Sequence, residues 1–76
     1  MTILVVDDDI RINELLCDIF SVEGYKTISA YDGEQALKKL EKNKNIDLIV
    51  LDVMMPEFDG WEVLKYVKDN TDCKVL

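Results

Sequence analysis

One segment, residues 46–60, constrains the fold more than any other stretch of the chain. It reads IDLIVLDVMMPEFDG. Its apolar first half is rich in β-branched residues and stops at Asp52, which predicts a central parallel strand that is buried on both faces. Pro56 cannot continue a strand ladder, and Asp59 with Glu62 three residues later is typical of a helix N-terminus. The segment therefore predicts a strand, an exposed acid, a loop and a helix.

The rest of the chain predicts the same alternation of strands and helices. Residues 3–6 form a second apolar run that also ends in acids, at Asp7, Asp8 and Asp9. Residues 25–31 have the β-branched and aromatic bias of a half-exposed strand, and residues 73–76 begin a fourth strand. The helix between the first two strands has apolar residues at steps of three and four: Ile12, Leu15, Leu16, Ile19 and Phe20. The order β-α-β-α-β-α-β predicts one α/β domain, a parallel sheet with helices on both faces.

Caps and turns mark the ends of these predicted helices. Asp9 is expected to cap the first helix rather than to bind a metal, and Gly24 to end it. Asp32, with Gln35 three residues later, predicts the start of a second helix with Ala36 and Leu40 on its buried side. Leu37 belongs to the same buried stripe, and Glu34 with Lys38 is expected to form an i,i+4 ion pair.

Composition excludes several classes of function. The formal net charge of −7 argues against a nucleic-acid surface, which needs clustered Lys and Arg. No apolar run is long enough to span a bilayer, and Met1 leads directly into a strand, so we expect no membrane association and a cytoplasmic location. The chain contains no histidine, which excludes His-based triads within it. Cys17 and Cys73 are expected to be buried and reduced, and a disulfide or metal pair is the alternative.

Two predicted strands deliver acids to one edge of the sheet. If they are neighbours, Asp7, Asp8 and Asp52 converge, and their mutual repulsion raises their pKa values unless a cation is bound. A hard divalent ion such as Mg²⁺ suits such carboxylates, and a carboxylate oxygen can also attack phosphorus. The alternative is a solvated acidic rim without a ligand.

At these residues the sequence resembles the receiver domain of two-component response regulators. ILVVDDD carries the acidic pair of that family, and LIVLDVMMPEFDGWE carries its phosphoacceptor aspartate, proline and Asp-Gly. The resemblance implies a flavodoxin-like fold of strand order 2-1-3-4-5. It also implies Mg²⁺ held by Asp7, Asp8, Asp52 and the backbone carbonyl of Met54. Asp52 would accept a phosphoryl group from a sensor histidine kinase and switch an output activity, which is expected to be transcriptional.

The resemblance covers residues 1–76 and implies a receiver that is incomplete at its C-terminus. The hydroxyl residue and the lysine that grip the phosphoryl group in the family are expected beyond Leu76. The alternative function is therefore an interaction fragment without switching activity, which forms a homodimer through an exposed sheet edge. A third hypothesis, a metal-dependent hydrolase, is disfavoured because position 54 is Met, where that chemistry needs a second acid. We therefore expect no enzymatic activity.

Overall fold

The computed structural model describes residues 1–52, 63, 65, 67, 68, 74 and 75. The elements that it defines are β1 (Thr2–Val6), α1 (Ile10–Val22), β2 (Lys26–Ala30), α2 (Gly33–Lys42), β3 (Leu48–Leu51) and β4 (Lys74–Val75). Val63, Lys65, Val67 and Lys68 have helical backbone, in the region where the sequence predicts a third helix. The predictions for Met54, Pro56, Asp59, Gly60, Glu62 and Cys73 lie outside the described residues.

The strands form one parallel sheet in the order β2-β1-β3-β4. β1 pairs with both β2 and β3, so that Val6 lies beside Ala30 on one side and Leu51 on the other. β4 pairs with β3, where Ile49 lies beside Val75. This is the strand order expected for a flavodoxin-like fold, and the predicted α/β class is confirmed.

The main core lies on the face of the sheet that α2 covers. Leu4 and Ile49 are fully buried there at neighbouring positions of β1 and β3. α2 contributes the predicted stripe, in which Ala36 and Leu40 are buried and Leu37 packs against them. Val63 and Val67 complete this cluster. The apolar residues of three strands and two helical segments therefore form this core.

α1 covers the opposite face of the sheet, but not with all the residues that its apolar pattern predicts. Ile12, Leu15 and Ile19 are exposed, at 46%, 58% and 49%. The side turned to the sheet carries the fully buried Asn13 and the half-buried Leu16, Cys17 and Phe20. The predicted apolar residues share one face of α1, at about 100° per residue, but only its edge at Leu16 and Phe20 turns toward the sheet. The expectation that the whole face is buried is therefore wrong for Ile12, Leu15 and Ile19.

β3 is less buried than a central strand was predicted to be. Ile49 is buried, whereas Leu48, Val50 and Leu51 are only partly so. Val50 lies in register with Val5, on the face that α1 covers. Within the described residues α1 packs on β2 and β1 rather than on β3, so Leu48 and Val50 keep some exposure. The strand that is buried throughout is β1.

Both helices begin at the predicted caps, and α1 also ends before the predicted glycine. Asp9 accepts hydrogen bonds from the Arg11 and Ile12 amides at the start of α1, and Gly24 follows its end with φ +93°. At the start of α2 the Gln35 amide donates to the Asp32 carboxylate over 2.8 Å. The Glu34–Lys38 ion pair is present on the exposed face of α2. Neither described helix has the length and apolar character that a membrane span requires.

Candidate functional site

The ends of three strands bring the predicted acids together. Val6 pairs with Leu51, so the next residues of the two strands, Asp7 and Asp52, are also neighbours. The Asp52 amide donates to the Val6 carbonyl over 3.0 Å, and the Asp7 amide donates to the Ala30 carbonyl over 3.1 Å. Hydrogen bonds to neighbouring strands therefore continue past the last residues of β1 and β3. They fix where both carboxylates leave the backbone.

The three acids form one cluster at this carboxyl edge of the sheet. One carboxylate oxygen of each of Asp7, Asp8 and Asp52 lies within 4.8 Å of the other two. Asp7 is buried, Asp52 is half-buried and Asp8 is exposed. The structure thus brings together every predicted site residue that it describes; Met54, whose carbonyl was the fourth predicted ligand, lies outside the described residues. We call these three acids the acidic cluster.

Asp9 has a different role from the acids of the cluster. Its Oδ1 accepts from the Arg11 amide at 3.0 Å and from the Ile12 amide at 3.3 Å. It is therefore the N-cap of α1, as predicted. Its own amide donates to Asp7 Oδ1 over 2.9 Å. The turn between β1 and α1 thus holds one oxygen of the Asp7 carboxylate in place.

The environment of Asp7 opposes ionisation. Burial raises the pKa of the Asp7 carboxyl above its ordinary value of 3.8, and the negative charges of Asp52, Asp8 and Asp9 raise it further. The hydrogen bond from the Asp9 amide lowers the pKa but does not offset these effects. A cation beside Asp7 would offset the repulsion between these negative charges. The pKa of Asp7 is thus raised, as predicted, but burial is a larger cause than the predicted repulsion.

The donor set of the acidic cluster fits Mg²⁺. All three groups offer carboxylate oxygens, the ligands that this hard cation prefers. Oxygens on opposite sides of Mg²⁺ are about 4.2 Å apart, given a Mg–O distance of about 2.1 Å. Oxygens at adjacent positions are about 3.0 Å apart. The three carboxylates, within 4.8 Å of one another, would therefore have to draw closer to share one ion.

Asn13 is a buried polar residue at this edge that sequence reasoning missed. Its side chain is fully buried, and its Nδ2 donates to the backbone carbonyls of Val5, Asp7 and Ala30. The one signal in the sequence is that Asn13 lies four residues after the Asp9 cap and four before Cys17. That spacing places it on the same side of α1 as the thiol. The apolar pattern of the helix predicts that its apolar residues, and not Asn13, are buried.

A parallel α/β sheet with clustered acids where its strands end is a fold suited to binding ligands at that edge. The class that the fold defines is an α/β domain of flavodoxin-like type with an acidic cluster at the carboxyl edge of its sheet. The family model for the response regulator receiver domain matches residues 3–76. The chain belongs to this family, and it is a receiver domain of two-component phosphorelay signalling.

Two curated relatives of the chain are named as transcriptional regulatory proteins. The chain is 43% identical to the transcriptional regulatory protein CpxR of Escherichia coli K12. That alignment of 74 residues covers 97% of this chain and 31% of CpxR. The chain is 54% identical over 68 residues to the alkaline phosphatase synthesis transcriptional regulatory protein PhoP of Bacillus subtilis 168, covering 90% of this chain and 28% of PhoP. The chain thus spans about a third of the length of these relatives.

Solved structures give the same family. The response regulator TrrA of Thermotoga maritima, in complex with Mg²⁺-BeF, matches with a TM-score of 0.85 at 44% identity, covering 97% of this chain and 64% of TrrA. TrrA bound to the histidine kinase ThkA matches with a TM-score of 0.85 at 43% identity and the same coverage. The predicted membership of the receiver family is therefore confirmed.

Proposed function

We propose that Asp52 is the phosphoacceptor of this receiver domain and that the acidic cluster holds Mg²⁺ for the transfer. The observation that carries the proposal is the convergence of Asp7, Asp8 and Asp52, whose carboxylate oxygens lie within 4.8 Å of one another. In this arrangement Asp7 and Asp8 would bind the cation together with one oxygen of Asp52. The backbone carbonyl of Met54 is the fourth protein ligand that we propose.

The chemistry divides between the cation and the side chains. When bound, Mg²⁺ would neutralise charge that develops on the phosphoryl oxygens. One oxygen of the Asp52 carboxylate forms the new bond to phosphorus while the bond from phosphorus to the donor nitrogen breaks. The donor imidazole keeps the electron pair of that bond. The product is an acyl phosphate on Asp52, and the group stays on the chain instead of being turned over, so we propose no enzymatic activity.

The donor that we propose is a phosphohistidine on a sensor histidine kinase. None of these 76 residues is a histidine, so the donor lies outside them. The similarity to TrrA, which has been solved with the kinase ThkA, supports a kinase as the partner. The names of CpxR and PhoP support transcription as the output of the whole protein, with a cytoplasmic location as the setting.

Intact-protein mass spectrometry tests this proposal. The protein is incubated with Mg²⁺ and a small acyl phosphate donor, and the number of phosphoryl groups gained is counted. We expect a gain of one group in the wild type and in Asp47→Asn, whose carboxylate lies at the other end of β3. We expect no gain in Asp52→Asn or after removal of Mg²⁺ by a chelator.

The two negative samples separate the two parts of the proposal. A gain that persists in Asp52→Asn would show that another residue is the acceptor. A gain that persists in chelator would show that the acidic cluster works without a cation. Calorimetric titration of the wild type with Mg²⁺ alone then reports binding to the cluster independently of transfer.

A second proposed function is self-association through an edge of the sheet. β2 and β4 lie at the two ends of the described sheet, and α1 carries an exposed apolar stripe. Ile12, Leu15, Ile19 and Val22 form this stripe. Sedimentation velocity over a range of protein concentrations tests the proposal, because a dimer predicts a sedimentation coefficient that rises with concentration. A single value at every concentration would contradict it.

A further inference from the structure

We infer that Asn13 is a positioning residue for the acidic cluster: it fixes the backbone at Asp7 so that the cluster binds a divalent cation tightly. This inference rests on the function proposed above. Asn13 does not belong to the cluster and does not bind the cation itself. Its effect passes through Asp7, which follows the last residue of β1.

The hydrogen bonds of Asn13 converge on the ends of two strands. Its Nδ2 donates to the Asp7 carbonyl at 3.2 Å, to the Ala30 carbonyl at 3.0 Å and to the Val5 carbonyl at 3.3 Å. An amide nitrogen carries two hydrogens, so at least one of them is shared between two carbonyls. This one side chain therefore joins α1 to the carboxyl ends of β1 and β2.

Asp7 is held at three points as a result. Its amide donates to the Ala30 carbonyl, its carbonyl accepts from Asn13, and its Oδ1 accepts from the Asp9 amide. The first two contacts fix the peptide groups on both sides of the Asp7 Cα atom. They fix the direction of its Cα–Cβ bond and the path of the chain into Asp8. Without Asn13, no hydrogen bond from the α1 side chain would fix the peptide group between Asp7 and Asp8.

The three strand carbonyls orient the amide of Asn13, because only its nitrogen end can donate to them. Its Oδ1 faces the other way and accepts a weaker hydrogen bond from the Cys17 thiol at 3.6 Å. That sulfur lies 3.1 Å from the Ser29 hydroxyl on β2. Groups behind the ligands of a metal commonly set the geometry of those ligands in this way.

Burial of an amide where α1 could place an apolar side chain needs an explanation. A buried polar group stabilises a fold only when its hydrogen bonds are made. The Ala30 carbonyl already accepts from the Asp7 amide, so it does not need Asn13 to be satisfied. The hydrogen bond to the Asp7 carbonyl is different, because among the described side chains only Asn13 donates to that carbonyl. That contact links the choice of Asn at this position to the acidic cluster.

Calorimetric Mg²⁺ titration of Asn13→Ala, with Cys17→Ala as the matched control, tests the inference. Both substitutions remove a contact of the same buried network, and both are expected to lower the midpoint of thermal unfolding. Only Asn13→Ala removes the bond to Asp7, so we expect it to weaken Mg²⁺ affinity by about 10- to 100-fold. Cys17→Ala should keep an affinity within about threefold of the wild type, since the control leaves the Asp7 carbonyl bonded.

An Mg²⁺ affinity of Asn13→Ala equal to that of the wild type would overturn the inference, whatever its unfolding midpoint. Equal losses in Asn13→Ala and Cys17→Ala would also overturn it, because a general loosening of α1 would then explain both. If the wild type binds no Mg²⁺, the proposed function fails and the role of Asn13 fails with it. Wild-type binding separates these two failures.

A measurement on the unsubstituted protein covers the case in which Asn13→Ala does not fold. In ¹⁵N-edited NMR spectra the side-chain amide signals of Asn13 should shift during Mg²⁺ titration and saturate together with binding. The side-chain amide of Asn43 is the internal control, because it donates to the Lys39 carbonyl at the far end of α2. Asn13 signals that stay as still as those of Asn43 would contradict a link to the cluster.

Discussion

The two ends of the central strands use aspartates in opposite ways. At the amino edge, Asp47 precedes β3 and accepts a hydrogen bond from the Thr2 amide over 2.8 Å, while its own amide donates to the Thr2 carbonyl over 2.9 Å. At the carboxyl edge, the acids of the cluster face one another, and burial and repulsion raise the pKa of Asp7. One edge uses a carboxylate to tie β1 to β3. The other assembles carboxylates at a cost to the fold.

This difference indicates which acids serve stability and which serve function. A carboxylate that accepts backbone hydrogen bonds stabilises the folded state. Carboxylates that approach one another without a counter-ion destabilise it, and such groups concentrate at functional sites. The contrast is between opposite ends of the same two strands, so it does not arise from the net charge of the chain.

The largest expected effect is stabilisation by Mg²⁺ at the carboxyl edge. Mg²⁺ at 100 times its dissociation constant should raise the free energy of unfolding of the wild type by about 2.7 kcal/mol. Asp8→Asn removes one ligand and should lose most of that gain at the same Mg²⁺ concentration. Asp47→Asn should keep it. Urea unfolding with and without Mg²⁺ measures the difference, and an equal gain in both variants would break the comparison.

Loss of the carboxylate at the amino edge should have the next largest effect. Asp47→Ala leaves the Thr2 amide without its side-chain acceptor, which should lower the free energy of unfolding by about 1 to 2 kcal/mol. Asp47→Asn retains an acceptor oxygen and should lose less than half of that. Chemical unfolding of both variants separates the hydrogen bond from the charge. Equal losses would assign the effect to charge instead.

Asp7→Asn should act in the opposite direction and depend on pH. Because its pKa is raised in the folded state, that state holds the Asp7 proton more tightly than the unfolded chain does. The free energy of unfolding of the wild type therefore falls as pH rises through that pKa. Asn does not ionise, so without Mg²⁺ the variant should be the more stable protein at neutral pH.

The pH dependence of that difference gives its control. The advantage of Asp7→Asn should disappear below the ordinary pKa of 3.8, where Asp7 is protonated in both states. Unfolding in chelator from about pH 3 to about pH 8 measures it. A variant less stable than the wild type at neutral pH would contradict the destabilising role that we assign to this carboxylate.

The smallest effect is expected from an acid that belongs to neither edge. Asp18 is exposed on α1. Asp18→Asn changes the net charge as much as Asp7→Asn does, yet it should alter the free energy of unfolding by less than about 0.5 kcal/mol. A gain as large as that of Asp7→Asn, measured in the same chelator buffer, would attribute both effects to net charge.

Patterns that involve one element at a time could be predicted from the sequence. The caps at Asp9 and Asp32 use local hydrogen bonds, so the starts of both helices follow from neighbouring residues. The apolar runs of β1 and β3 stop at acids, so the strand ends follow in the same way. The strand order placed Asp7 beside Asp52 because parallel strands end at the same edge. These predictions needed no knowledge of how the helices rotate about their axes.

The orientation of α1 could not be predicted in this way. Its period defines one apolar face, but not which part of that face packs on the sheet. The side that packs carries Asn13, which donates to carbonyls of β1 and β2, and those strands come from other parts of the chain. Exposure of Val50 likewise depends on where α1 lies across the sheet. Both are tertiary effects, and no local pattern encodes them.

Locating the phosphoryl group on the chain tests the central claim most directly. After incubation with Mg²⁺ and a small acyl phosphate donor, hydride reduction converts an aspartyl phosphate to homoserine, and peptide sequencing by mass spectrometry finds the position. We predict homoserine at Asp52 alone, because Asp7 and Asp8 are assigned to the cation. Homoserine at Asp7 or Asp8, or at no position in a protein that binds Mg²⁺, would contradict the account.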